Sequence, residues 1–269
     1  MRKHITGFSN PTVKYLRSLR DKKHRKRAGE FLVEGLRLLE DARASGRVPR
    51  TLVMAEGREH PLLGRLEADV IAAGGEVIAT TPDILSKITG KENAQSVAGV
   101  FDEWDTGLAK LDRSTAPIWL VAQALRDPGN LGTMLRTCDA VGAGGLILID
   151  DCADPFSAEA VRASMGAVFT VGLAQARWEE FLPWLRGGAK EHGGQLVAAS
   201  LRDAVPYRGA PYQAPCFVLV GNESQGLPEE YEAACDLRVT MPMKGRADSL
   251  NAAVAGAVLA YEVLAAIGD

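Results

Sequence analysis

The sequence is poor in the residues that build metal sites and cross-links. Its 269 residues include four cysteines, Cys138, Cys152, Cys216 and Cys235, none in a CxxC pair. That spacing argues against zinc and against a disulfide framework, and fits a reducing cytoplasm. The four histidines, His4, His24, His60 and His192, fall in none of the glycine-bearing loops described below, so a histidine-based catalyst is not expected. No apolar run approaches the roughly 20 residues of a membrane span. The N-terminus is basic but lacks the apolar core of a secretory signal. No internal repeat or low-complexity segment is evident. A hydrophobic share of 46% and a mean hydropathy of −0.03 suit a soluble chain of one large domain or two modest ones.

Net charge is also low, at −3, but it is unevenly placed. Residues 1–30 hold 10 Lys/Arg against 2 Asp/Glu, and the remainder holds 21 against 32. Such segregation points to a polyanion partner for the N-terminal end. Of these ten, the positions expected to contact the polyanion are Lys14, Arg17, Arg20, Lys22, Lys23, Arg25, Lys26 and Arg27. A solvated charged turn is the plain alternative for residues 20–27. Phosphate contacts from such a run supply affinity and salt dependence, not sequence choice.

The first hundred residues alternate strand and helix patterns. A helix is predicted from Pro11 to about Arg20, then a strand at 31–33 and a helix from Glu34 to near Gly46. Strands at 51–54, 76–78 and 96–101 alternate with helices at 62–73 and 82–87. This is a small α/β unit. Residues 102–116 are polar, with Gly107 and Pro117 as punctuation, and read as a linker. The domains expected are therefore 1–104, a linker 105–116, and 117–269.

The second part opens with a buried-looking strand at 118–122 and a turn at 126–130. A helix follows at 131–141, with Asn130 as a possible cap and Arg136 well inside. Strands are predicted at 145–149, 168–171 and 195–200, helices at 157–166 and 178–186, and a Pro/Tyr-rich loop at 205–215. Cys216 to Val220 is a continuous apolar strand. It runs into Gly221-Asn222-Glu223-Ser224-Gln225-Gly226-Leu227-Pro228, where Pro228 suits a first helical position. Another strand covers 237–243. Then comes Lys244 to Asn251, and Asp248 or Ser249 suits the cap of a final helix. That helix is apolar nearly all round, so it is buried on more than one side, either under the sheet or at a subunit interface. Loops at the carboxyl ends of parallel strands are where open α/β sheets hold ligands.

These stretches resemble the motifs of the SpoU (TrmH-type) RNA 2′-O-ribose methyltransferases of the SPOUT superfamily. Asn130 and Arg136 match the first motif, Gly221-x-Glu223-x-x-Gly226-Leu227 the second, and Met241-Pro242-Met243-x-Gly245-x-x-x-Ser249-Leu250-Asn251 the third. One departure is Ala252-Ala253, where the family often carries Val and a nearby Ser. Phe31-Leu32-Val33-Glu34-Gly35-x-Arg37-Leu38-Leu39 resembles the L30e-like α/β substrate-binding domain that precedes many such catalytic domains. The resemblance implies an α/β chain with an L30e-like domain followed by a methyltransferase domain tied in a trefoil knot. It also implies a cytoplasmic homodimer that uses S-adenosyl-L-methionine to methylate a ribose 2′-OH in structured RNA, 23S rRNA being favoured. A tRNA target and a non-catalytic RNA-binding assembly factor stand as alternatives.

The resemblance assigns catalytic roles to Arg136, Asn130, Glu223, Ser249 and Asn251. It assigns cofactor contacts to Gly221, Met241, Met243 and Leu250, with Ala199 a weaker addition. Arg37 joins the basic positions as an RNA contact or a structural group. Methyl transfer to a hydroxyl is an in-line displacement, which requires alignment and loss of a proton, and neither a metal nor a covalent intermediate. A guanidinium with a pKa above about 12 is a poor base. Arg136 is therefore expected to act electrostatically, lowering the 2′-OH pKa and aligning the neighbouring phosphate. Plain readings exist for each: a helix cap for Asn130, a surface ion pair for Arg136, core packing for Met241 and Leu250. A dinucleotide oxidoreductase is disfavoured, because neither 127–132 nor 142–145 spells GxGxxG in the required strand–turn–helix order.

Overall fold

The structure is a computed structural model that describes residues 2–57, 60–91, 95–187, 194–222 and 225–267. The chain forms two compact units, Met1–Trp104 with Asp154–Phe169, and Asp105–Ala153 with Thr170–Asp269. Residues 105–116 belong to the second unit as two short 3-10 turns, and Leu108 and Leu111 pack against its core.

In the first unit, β1 (Arg2–Ile5), α1 (Pro11–Ser18), α2 (Lys22–Ala28), β2 (Glu30–Glu34) and α3 (Leu36–Ala44) lead into β3 (Thr51–Ala55), α4 (Pro61–Ala72), β4 (Glu76–Thr80), α5 (Pro82–Thr89) and β5 (Val97–Asp102). The sheet order is β1-β4-β3-β5-β2, with β1, β4 and β3 parallel and β5 antiparallel to both of its neighbours. Val13, Leu16 and Leu19 bury one face of this sheet together with Ile84, Leu85 and Ile88. The edge strand β1 carried no recognisable sequence signal, since three of its four residues are polar and exposed. The basic run is a helix and not a turn: Asp21 caps α2 through the N–H groups of Lys23 and His24, and Gly29, at φ 66°, ends it. Its last-turn cations suit the negative helix end.

The second unit runs through β6 (Ile118–Gln123), α6 (Pro128–Val141) and β7 (Gly145–Ile149). Next come α7 (Ala158–Ser164), which belongs to the first unit, β8 (Gly172–Ala176), α8 (Trp178–Arg186) and β9 (Gln195–Ala199). The two-residue β10 (Val205–Pro206), β11 (Cys216–Val220), α9 (Glu229–Ala233), β12 (Leu237–Thr240) and α10 (Ala252–Ile267) complete it. The seven strands among the described residues are all parallel, in the order β10-β12-β9-β11-β6-β7-β8. Strand alternation sends Trp119, Val121, Phe217 and Leu219 to the face covered by α8 and α9. The other face takes α6 and α10, which pack on each other and on β6 and β11.

The strand expected at 168–171 is not there. Ala167–Phe169 is a 3-10 turn of the first unit, where Phe169 packs 5.4 Å from the Phe101 ring, and β8 starts at Gly172. A β-branched apolar run gives no sign of which core will claim it.

Candidate active site

The carboxyl ends of β9, β11 and β12 open into a cleft of about 390 Å³, the size and place expected of a small-molecule site. Ala199, Ser200, Leu201 and Arg202 wall it after β9, and Gly221, Asn222 and Gln225 to Leu227 after β11. Met241, Met243, Asp248, Ser249 and Leu250 wall it after β12, and Ala252 and Ala255 of α10 close it. All five residues expected at the cofactor, Ala199, Gly221, Met241, Met243 and Leu250, lie on this wall.

The glycines of the loop after β11 have distinct reasons. The loop folds back on itself, Gly226 N–H donating to Asn222 O at 2.8 Å. A Cβ at Gly221 would sit 2.7 Å from the Gly226 carbonyl carbon and from Leu227 N, so only glycine fits without moving backbone. Gly226 itself is at φ 68°, a conformation that disfavours side chains. Asn222 Nδ2 ties the loop to Ala124 O at 3.0 Å. Pro228 precedes α9 as its cap residue, one place before the position expected.

The helix caps also differ from expectation, with a consequence for the site. Asp127, not Asn130, caps α6, accepting from Asn130 N–H at 2.7 Å. Asn251, not Asp248 or Ser249, caps α10, its Oδ1 accepting from Ala253 and Val254 N–H at 3.0 and 3.2 Å. Asn251 Nδ2 then donates to Asn130 Oδ1 at 3.0 Å. The first and third motifs therefore meet at the amino ends of two long helices, where the local field favours anions. Ser249 lines the cleft beside them. Arg136 lies on the exposed face of α6, is not part of the cleft wall, and its side chain has no hydrogen bond or ion pair among the described residues. Glu223 lies outside the described residues.

Glu232 of α9 was not singled out from sequence. Its burial is created by the end of β9, distant in the chain, so no local pattern could have marked it. It is 6% exposed and lines the cleft. Ser200 Oγ donates to its Oε1 at 2.6 Å and accepts from Arg202 N–H at 3.0 Å. The neighbouring Tyr231 fixes α9 by stacking on Trp178 at 3.9 Å and donating to Asp150 Oδ2 at 3.0 Å. Burial, then the hydrogen bond to Asp150, raise its hydroxyl above the ordinary phenol range and keep it a donor.

The basic N-terminal residues divide. Lys14, Arg17 and Arg20 edge a shallow depression with Asp21 and His24, while Lys22, Lys23, Arg27 and Arg37 are exposed. Arg25 corrects the expectation of RNA contact. It is 4% exposed, bonds Asp154 at 2.7 Å and the carbonyls of Leu19 and Arg20, and has no surface to offer. Lys26 is partly engaged, pairing with Glu103 at 3.0 Å and lying over Phe156.

The cleft fits S-adenosyl-L-methionine by its chemistry: an apolar wall, a loop whose backbone is open to close approach at Gly221, and a buried carboxylate oxygen, Glu232 Oε2, that accepts no hydrogen bond among the described residues. Among the described residues no three His, Cys, Asp or Glu side chains gather as metal ligands, and no helix is long and apolar enough to cross a membrane.

Residues 117–261 match the SpoU rRNA Methylase family, and residues 10–99 match the MRM3-like substrate binding domain. The chain is 32% identical to the 23S rRNA (guanosine(2553)-2′-O)-methyltransferase RlmP of Bacillus subtilis, over 97% of this chain and 99% of that one. It is 31% identical to a 23S rRNA (uridine(2479)-2′-O)-methyltransferase of Streptomyces viridochromogenes, over 91% and 86%. An AdoMet-bound rRNA methyltransferase from Sinorhizobium meliloti superposes with a TM-score of 0.90 at 38% identity, covering 97% of each chain. The methyltransferase AviRb of S. viridochromogenes, in complex with AdoMet, superposes at 0.85 with 29% identity, covering 94% and 97%.

Proposed function

The chain belongs to the SpoU rRNA methylase family, and from that premise we propose that it transfers a methyl group from S-adenosyl-L-methionine to a ribose 2′-OH of 23S rRNA. The observation that carries this reading is the convergence of the second and third motifs on one cleft, with the first motif joined to it through Asn130 and Asn251. The cofactor, when bound, supplies the electrophilic methyl. Gly221 and the Met241–Met243 loop hold it through backbone groups. Met241, Leu250 and the alanines of α10 exclude water from it. Asn130, Ser249 and Asn251 orient the ribose and its phosphate at the two helix ends. Arg136 lowers the pKa of the 2′-OH electrostatically, and Glu223 aligns it or the ribose.

The outward position of Arg136 supports a homodimer in which a second copy brings its own Arg136 to the cleft. The exposed side chains of Val254 and Tyr261 on α10 support the same reading. The return of the chain from β12 to α10, which packs on α6, β11 and β6, suits the family's trefoil knot. Lys14, Arg17, Arg20, Lys22, Lys23, Arg27 and Arg37 engage RNA phosphates, and the enzyme works in the cytoplasm. The test incubates purified protein and S-adenosyl-L-methionine with 23S rRNA and, separately, tRNA, and maps 2′-O-methylated positions. One modified 23S rRNA ribose is expected, lost in Arg136→Ala. Methylation of tRNA alone overturns the rRNA assignment, and none on either overturns the activity.

A further inference from the structure

We propose that Glu232, supported by Ser200, is a cofactor-binding residue whose free carboxylate oxygen accepts a hydrogen bond from the ribose hydroxyls of S-adenosyl-L-methionine. The inference rests on the cofactor reading above. Glu232 Oε2 is buried on the cleft wall and accepts no hydrogen bond among the described residues, whereas Oε1 is bound by Ser200. A buried carboxylate oxygen without a donor is costly, so its retention calls for one supplied from the cleft. The nearest cation, Arg202 Nη1, stands 3.6 Å away on a side chain 61% exposed.

Three parts of the cofactor carry donors. The amino-acid ammonium would sit against Arg202, cation beside cation. The adenine 6-amine lies next to a ring nitrogen whose lone pair would face the carboxylate. A base edge of alternating donor and acceptor is better met by backbone N–H and C=O than by an anion. The ribose diol is neutral and offers only hydroxyl donors toward an acceptor. It matches one open oxygen of Glu232, whose other oxygen is held by Ser200 after β9, in the cleft that Gly221 also lines.

The test measures calorimetric affinity and thermal unfolding for wild type, Glu232→Gln and Glu232→Ala. The ligands are S-adenosyl-L-methionine, 5′-methylthioadenosine, and the 2′-deoxy and 3′-deoxy forms of methylthioadenosine. Loss of one charged hydrogen bond predicts about ten- to hundredfold weaker binding of both ribose-intact ligands in Glu232→Ala. Wild type should discriminate against a deoxy ligand, and the variant should lose that discrimination. Without ligand, Glu232→Gln should melt no lower than wild type, because it keeps an acceptor for Ser200 and removes a buried charge whose cation partner, Arg202, is 61% exposed. A melting temperature lowered in both variants with unchanged affinity marks a structural residue and overturns the proposal. Weakened S-adenosyl-L-methionine binding with unchanged methylthioadenosine binding overturns it in favour of the ammonium. If wild type binds none of these ligands, the cofactor reading itself fails, a result separate from either.

Discussion

Asn251 Nδ2 donates to Asn130 Oδ1 across 3.0 Å, though the two asparagines stand 121 positions apart. The helix caps leave these two atoms to meet. Asp127 takes over the capping of α6, and Asn251 caps α10 with its oxygen alone, leaving its amide to reach across. The link holds the amino ends of both helices together where the RNA phosphate is expected. Asn251→Ala removes a cap and the link together, and should cost about 1–2 kcal/mol. Asn130→Ala removes the link while leaving both helix caps in place, and should cost less. A double-mutant cycle in urea should give a coupling of about 0.5–1.5 kcal/mol. Additive losses would mean the two amides act independently.

Gly221→Ala should impair the cofactor more than the fold. The new Cβ would lie 2.7 Å from backbone atoms of Gly226 and Leu227, which cannot swing aside as a side chain would. The loop must shift, at about 1–3 kcal/mol, and it forms one wall of the cleft. S-adenosyl-L-methionine affinity measured by calorimetry should fall at least tenfold. Gly226→Ala, strained by φ 68° but with open space around the Cβ, should lower stability while leaving affinity closer to wild type.

Much of the catalytic framework was legible because local chemistry dictates it. Cys216–Val220 is a continuous apolar run ending in glycine, and Trp178–Arg186 is amphipathic at helical spacing; both occur where expected. What was not legible depends on distant chain. Asn130 and Asn251 are both good cap residues, and only the fold shows which amide is spent on capping. Arg25 sits in a run of cations that look alike in sequence. Its burial is set by Asp154, 129 residues away. Glu232 lies one residue from Tyr231 on a short helix, and only the end of β9 turns it from a surface acid into a cleft acid.

The basic N-terminal residues should separate into two classes. Arg25→Ala leaves Asp154 as an unpaired buried charge and should cost about 3–5 kcal/mol. The residual folded protein should bind RNA with an unchanged salt slope. Arg17→Ala or Lys23→Ala should leave the melting temperature within experimental error. Each should weaken RNA binding and reduce the slope of log affinity against log salt by about 1. Filter binding of a 23S rRNA fragment at several salt concentrations, beside thermal melts, distinguishes the classes. A shallower slope for folded Arg25→Ala would return that residue to the RNA surface.

The four free cysteines should make the protein labile in alkali, not reactive at neutral pH. Burial pushes the Cys152 thiol up to about 11 and those of Cys216 and Cys235 to about 12, and Cys138 higher still. An exposed thiol in the unfolded chain ionises near about 8.5. Between these limits the native state binds more protons than the unfolded state, so stability falls as pH rises. It should be fully present below about pH 8 and decline from about pH 9 upward. Urea midpoints at pH 7, 9 and 10 check the direction, and Cys216→Ala should flatten part of the decline. At pH 7.5 the native protein should resist iodoacetamide and react in urea. Rapid labelling of the native chain would show that at least one of these thiols is far less enclosed than its packing implies.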